Sequence, residues 1–89
     1  MKYIVIHAYY DQNTGMYIDT AKPFETSDKA AKFIVDDWQS TLVKRFDELP
    51  LDFNTVKQHI DSMLPNESKC WKTDNAYGIN EYHWKIFSF

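Results

Sequence analysis

Side chains that favour strands crowd both ends of the chain. Residues 2–10 and 81–88 are rich in β-branched and aromatic positions, and each run is of strand length, so each predicts a β-strand. Between them the pattern changes period. From residue 27 onward, Ala31, Ile34, Val35, Trp38, Leu42 and Leu49 fall on one stripe at 100° per residue, with Phe46 at its edge. Lys29, Lys32, Asp36, Ser40, Lys44 and Asp47 lie away from that stripe. This predicts a long amphipathic helix over about residues 27–48, capped by Thr26 or Ser27, favoured by Asp28 in its first turn and stopped by Pro50.

The remaining elements follow from local signals. Asp11 to Gly15 reads as a hairpin loop, and Met16 to Ala21 as the returning strand, before Lys22 and Pro23 interrupt it. Phe53, Val56, Ile60, Met63 and Leu64 share a face of a second, shorter helix, capped by Asp52 or Asn54 and ended by Pro65. Lys69 to Thr73 reads as a strand, and Asp74 to Gly78 as a turn before the last strand. The order is β-β-α-α-β-β in one domain spanning residues 1–89. The expected fold class is α+β, an antiparallel sheet with the long helix packed on one face.

Strand parity assigns faces to the rings. Ile4, Ile6 and Ala8, Met16 and Ile18, and Trp84 and Ile86 make the more aliphatic set and are expected to seat the helix. Tyr3, His7, Tyr9, Tyr17, His83, Lys85 and Phe87 are then left on a second face, the expected binding surface. Large rigid rings with polar tips give contact area at small entropic cost. The competing reading is cross-strand packing of aromatics, or coverage of that face by the second helix. Phe33 and Val43 point off the helix stripe and are expected to meet a second layer.

Composition narrows the function without naming it. Three Trp, six Tyr and six Phe sit among 44% hydrophobic and 26% charged residues, an ordinary globular balance. The net charge of −3 and the absence of a basic stripe argue against double-stranded nucleic acid, where phosphate neutralisation supplies much of the affinity. Cys70 is the only cysteine, so no internal disulfide forms, which favours a reducing compartment. No secretory leader and no apolar run of membrane-spanning length is visible, so a cytoplasmic protein without a membrane partner is expected.

Chemical motifs are sparse. His7, His59 and His83 have no metal-ligand spacing, and glycines only at 15 and 78 exclude a phosphate-binding loop. Adjacent carboxylates at Asp36 and Asp37 diverge by about 100° on a helix and do not share a substrate. Cys70, between Lys69 and Lys72 and beside Trp71, has no base fixed near it by sequence. No cofactor, metal or catalytic residue is therefore expected. The leading reading is a small non-enzymatic protein-interaction module, an adaptor, inhibitor or regulatory accessory protein, acting on a protein partner or as a homodimer. Its size, acidity and make-up are similar in general character to bacterial and phage accessory proteins. One alternative is single-stranded nucleic-acid binding, with Tyr3, Tyr9, Tyr17 and Phe87 as stacking platforms and Lys85 near the backbone. The other is a histidine-dependent nuclease or metal protein, with His7 and His83 on one sheet face.

Overall fold

The computed structural model describes residues 1–11, 13–72 and 80–89. Four strands form one antiparallel sheet in the order β2-β1-β4-β3, with β1 at Tyr3–Asp11, β2 at Gly15–Phe24, β3 at Ser68–Lys72 and β4 at Asn80–Ser88. The helical layer is α1 at Ser27–Trp38, continued without interruption by a π-helical segment at Gln39–Val43 and a last turn α2 at Lys44–Phe46, and then α3 at Phe53–Asp61. This is the expected α+β order, with a long helix of 20 residues. The turn expected at Asp74 to Gly78 and the end of the third strand at Thr73 lie outside the described residues.

Local chemistry sets the helix ends. Thr26 takes the N-cap of α1, its hydroxyl oxygen accepting from the Lys29 N–H at 3.2 Å. Asp52 does the same for α3, accepting from the Thr55 N–H at 3.0 Å. At the far end of the long helix Asp47 adopts φ 58°, a left-handed conformation that aspartate tolerates and that glycine would otherwise supply. The chain turns there, and Leu49 falls outside the helix rather than on its stripe, 78% exposed. Its carbonyl instead accepts the Trp38 indole N–H at 2.9 Å. Leu64 also leaves the predicted face, because α3 ends at Asp61 and only Met63 turns back into the core.

The π-helical segment has a cause in the sequence. Ile34, Trp38, Leu42 and Phe46 recur every four residues, whereas an α-helix repeats every 3.6. Over three turns that mismatch is about one residue. One wider turn at Gln39–Val43 absorbs it, so that Ile34, Trp38 and Leu42 are buried and Phe46 is half-buried on the same side.

The sheet corrects the expected faces of the first two strands. In β1 it is Tyr3, Val5 and His7 that are buried beneath the helices, and Ile4, Ile6 and Ala8 that point to the opposite face. Register explains this. Tyr3, Val5, His7 and Tyr9 pair with Ser88, Ile86, Trp84 and Tyr82, so the odd residues of β1 share a face with the even residues of β4. Trp84, the bulkiest fully buried side chain, selects that parity. Trp84 and Ile86 hold the core positions expected of them. Both helices lie on this one face: Val56 and Ile60 of α3 join Ile34, Leu42, Trp84 and Ile86 in a single core. The opposite face of the sheet carries no second helical layer among the described residues, and the Cα extent along the short axis is only 17 Å.

In β2 the strand runs past the expected stop at Lys22 and Pro23 to Phe24. Pro23 is tolerated because β2 is an edge strand, where a missing N–H breaks no ladder bond. The β1–β2 register also slips once, between His7 and Ala8, where His7 pairs with Thr20 and Ala8 with Ile18. Asp19 is the extra residue of this β-bulge.

Side-chain bonds tie the second half together. Lys69 of β3 donates from Nζ to the His59 carbonyl at 3.3 Å and to the Ser62 hydroxyl, placing a cation at the C-terminal end of α3. Lys57 lies 2.7 Å from Asp61 and 3.4 Å from Asp28, linking α3 to the first turn of α1.

Two outcomes follow. Ile86→Ala is expected to cost about 2–5 kcal/mol in urea denaturation, and Ile18→Ala about 0.5 kcal/mol or less in the monomer, because only the first side chain is enclosed. A comparable loss at Ile18 in the monomer would contradict the assignment of faces. His59 stands edge-on to Trp71 at 5.1 Å, and burial, then the nearby Lys69 charge, lowers its pKa below 6.5. The unfolded chain therefore binds the proton first, so this contribution is complete above 6.5 and declines as pH falls below it. The urea midpoint should drop between neutral and mildly acidic pH by more in the wild type than in His59→Gln.

Candidate functional site

The seven expected binding residues separate onto two surfaces. Tyr3 is core. His7, Tyr9 and Tyr17 come together on the helical side, at the end of the sheet nearest the β1–β2 hairpin. His83, Lys85 and Phe87 lie on the opposite, uncovered face, because β4 alternates around Trp84 and Ile86. His7 and His83 therefore do not share a face, which corrects the geometry on which a two-histidine site depended. The stacking platform expected from Tyr3, Tyr9, Tyr17 and Phe87 is likewise divided between the two sides.

On the helical side, a cleft of about 350 Å³ opens between the sheet and the π-helical segment. His7, Tyr9, Tyr17, Asp19, Thr41, Arg45, Phe46 and Tyr82 line it. Two backbone irregularities build it from opposite sides. The β-bulge turns Asp19 toward His7, and the π-helical segment carries Thr41 and leads into Arg45. The walls are aromatic: Tyr9 lies 6.5 Å from Tyr17 and 5.2 Å from Tyr82, centroid to centroid, and Phe46 lies 6.2 Å from Tyr82. Tyr9 donates toward Asp11 at 3.4 Å, and burial and then the Asp11 charge raise its pKa.

His7 lies at the floor of the cleft, only 3% exposed and stacked on Trp84 with centroids 4.5 Å apart and planes 8° from parallel. Its Nδ1 lies 2.7 Å from Asp37 Oδ2 and 3.3 Å from Asp19 Oδ2. Both carboxylates sit off the line of a straight hydrogen bond, so these are close charge contacts. Two carboxylate oxygens against one nitrogen assign the ring hydrogen to Nδ1. Nε2 is shut off from solvent and has no polar partner among the described residues.

Asp37 was not foreseen as a site residue. Burial alone pushes its carboxyl up, but contact with His7, the Trp84 indole N–H at 2.8 Å, and then the charges of His7 and Lys22 hold it below its ordinary 3.8. Trp84 offered a signal: a deeply buried indole needs an acceptor, and Asp37 on the helix is the acceptor that faces it.

The uncovered face begins from Ile4, Ile6 and Ala8 on β1. Ladder partners add Pro23, Ala21, Ile18 and Met16 from β2, with Ile18 69% and Met16 56% exposed. Phe87, Lys85 and His83 continue the face on β4, with Lys85 lying 5.5 Å from the Phe87 ring. The exposed Cys70 thiol of β3 stands 3.8 Å from His83 Nδ1, and His83 Nε2 meets Glu81 at 3.1 Å. Among the described residues no group of His, Cys, Asp and Glu is arranged to hold a metal ion, and no helix is long and apolar enough to cross a membrane.

The lowered Asp37 carboxyl predicts an acid dependence. Its contribution to stability is complete above about 3.8 and is lost as pH falls through its lower folded value. Urea midpoints measured from neutral pH down to strong acid should therefore fall less steeply at the acid end in Asp37→Asn than in the wild type. Comparison with protein-family models, with curated proteins and with solved structures finds no match to the chain.

Proposed function

We propose that the protein is a small non-enzymatic interaction module that works through the uncovered face of its sheet, with a second copy of itself as the partner. The observation that carries this reading is the apolar stretch formed by Ile4, Ile6, Ala8, Met16, Ile18, Ala21 and Pro23 on a face with no second layer among the described residues. A sheet with one face on a core ordinarily presents alternating polar residues on the other. Here the outward side of strands β1 and β2 is apolar over most of their shared length, and contiguous patches of this kind mark interfaces.

A second copy suits the patch for two reasons. The apolar residues lie along β1 and β2 while Glu81, His83 and Lys85 lie along β4, so a two-fold arrangement stacks apolar half on apolar half and leaves the charges at the rim. Strands of nine, ten, five and nine residues at ~3.3 Å per residue, each ~4.8 Å wide, give roughly 500 Å² of sheet per copy, or about 1,000 Å² for a pair. That is where specific interfaces begin. Aligned sheets pack in this way about 10 Å apart.

The test is oligomeric state in solution. Light scattering across a dilution series should show a dimer, and Ile18→Glu or Ile6→Lys should convert it to a monomer with unchanged far-ultraviolet circular dichroism. A wild-type monomer at high micromolar concentration would refute the self-association, as would a dimer indifferent to both substitutions.

A further inference from the structure

The aromatic cleft lies on the other side of the sheet from the proposed interface and is independent of it. It combines features that packing alone does not demand. A nine-tenths-buried imidazole lies at the cleft floor against two carboxylates, its Nε2 shut off from solvent and without a polar partner among the described residues. A β-bulge and a π-helical segment, each a departure from regular backbone, face one another across it. Such irregularities concentrate at functional sites because they re-aim side chains that regular elements would bury or expose. Arg45, exposed at the rim, has no carboxylate ion pair among the described residues and lies 5.5 Å from the Phe46 ring.

The chemistry of the lining selects the ligand. The largely exposed Asp19 carboxylate supplies the acceptor. Donors come from Arg45 and from the Thr41 and Tyr17 hydroxyls. Asp11, Asp19 and Asp37 in and around the cleft outnumber Arg45 and Lys22, so it offers no net attraction to a phosphate or carboxylate ligand. Tyr9 and Tyr17 present ring faces and edges on which a flat, weakly polar face can rest. A volume of about 350 Å³ admits a single small ring with its substituents and lies at the lower end of ordinary ligand sites.

We infer that this cleft binds an uncharged ring bearing several hydroxyl groups, a sugar unit, taken either as a simple glycoside or as the ribose of a nucleoside. The sugar face stacks on the tyrosines, and Asp19 and Arg45 read hydroxyls on two sides, above the His7 ring at the floor. Asp37 and Trp84 act behind the site, holding the imidazole in place at its floor.

The whole chain, labelled with nitrogen-15, tests this by nuclear magnetic resonance titration. The probes are methyl glucoside, methyl galactoside, methyl mannoside, uridine and adenosine, with glucose 6-phosphate and uridine 5′-monophosphate as charged counterparts. At least one neutral probe is expected to cause saturable shifts at Tyr9, Tyr17 and the His7 ring resonances. The glycoside and nucleoside arms tell which source of the ring is preferred. The matching phosphate should bind about tenfold more weakly, and Asp19→Asn, at a largely exposed position, should weaken the neutral probe by about tenfold without altering the folded spectrum. No saturable shift with any neutral probe at tens of millimolar would overturn the inference. So would tighter binding of the phosphates, shifts that avoid His7, or affinity unchanged in Asp19→Asn.

Discussion

The half-buried carboxylate of Asp37 ties the long helix to both central strands of the sheet. One oxygen accepts the indole N–H of Trp84 from β4 and lies against His7 of β1, while its own backbone belongs to α1. Trp84 is fully buried at the centre of the core, and its N–H has to be satisfied there. Meeting that need from the helix sets the rotation of α1 over the sheet, and stacking His7 on Trp84 sets the parity of β1 against β4. Removing one partner from such an arrangement leaves a buried polar group without compensation, and this is why local geometry propagates to the whole two-layer packing.

The helix answers the same demand along its length. Its apolar residues repeat every four positions, and the single wide turn at Gln39–Val43 keeps Ile34, Trp38, Leu42 and Phe46 above one line of the sheet. A regular α-helix would rotate Phe46 away by about a third of a turn over that distance. The wide turn thus supplies one wall of the aromatic cleft, and the cleft belongs to the fold rather than being cut into its surface.

Much of this was legible in the sequence. The amphipathic helix, the N-caps at Thr26 and Asp52, the hairpin and the element order follow from period, capping chemistry and turn residues, and Trp84 and Ile86 read correctly as core. The faces of β1 and β2 did not. Tyr3, Ile4, Val5 and Ile6 are all apolar enough for either side, so alternation carries no information there, and only pairing with β4 decides. Met16 and Ile18 go wrong with β1, because they pair with Tyr10 and Ala8 and take whichever face β1 takes; the β-bulge changes phase only beyond them, without any glycine to announce it. Asp37 escaped notice because a carboxylate on a helix ordinarily faces solvent, and its role rests on an indole 47 positions away.

The slip between His7 and Ala8 also bears on which residues this architecture can do without. Were Asp19 deleted, Ile18 and Thr20 would become neighbours and the β1–β2 ladder could run on in uniform register, with Tyr17 and Thr20 on the sides they now occupy. Closure of the sheet therefore asks nothing of this position. Every other residue of β2 is a rung, whereas Asp19 is surplus to the ladder, a carboxylate held out toward a buried imidazole. What this position serves is therefore the cleft, where its carboxylate stands against the imidazole, and not the pairing of the strands.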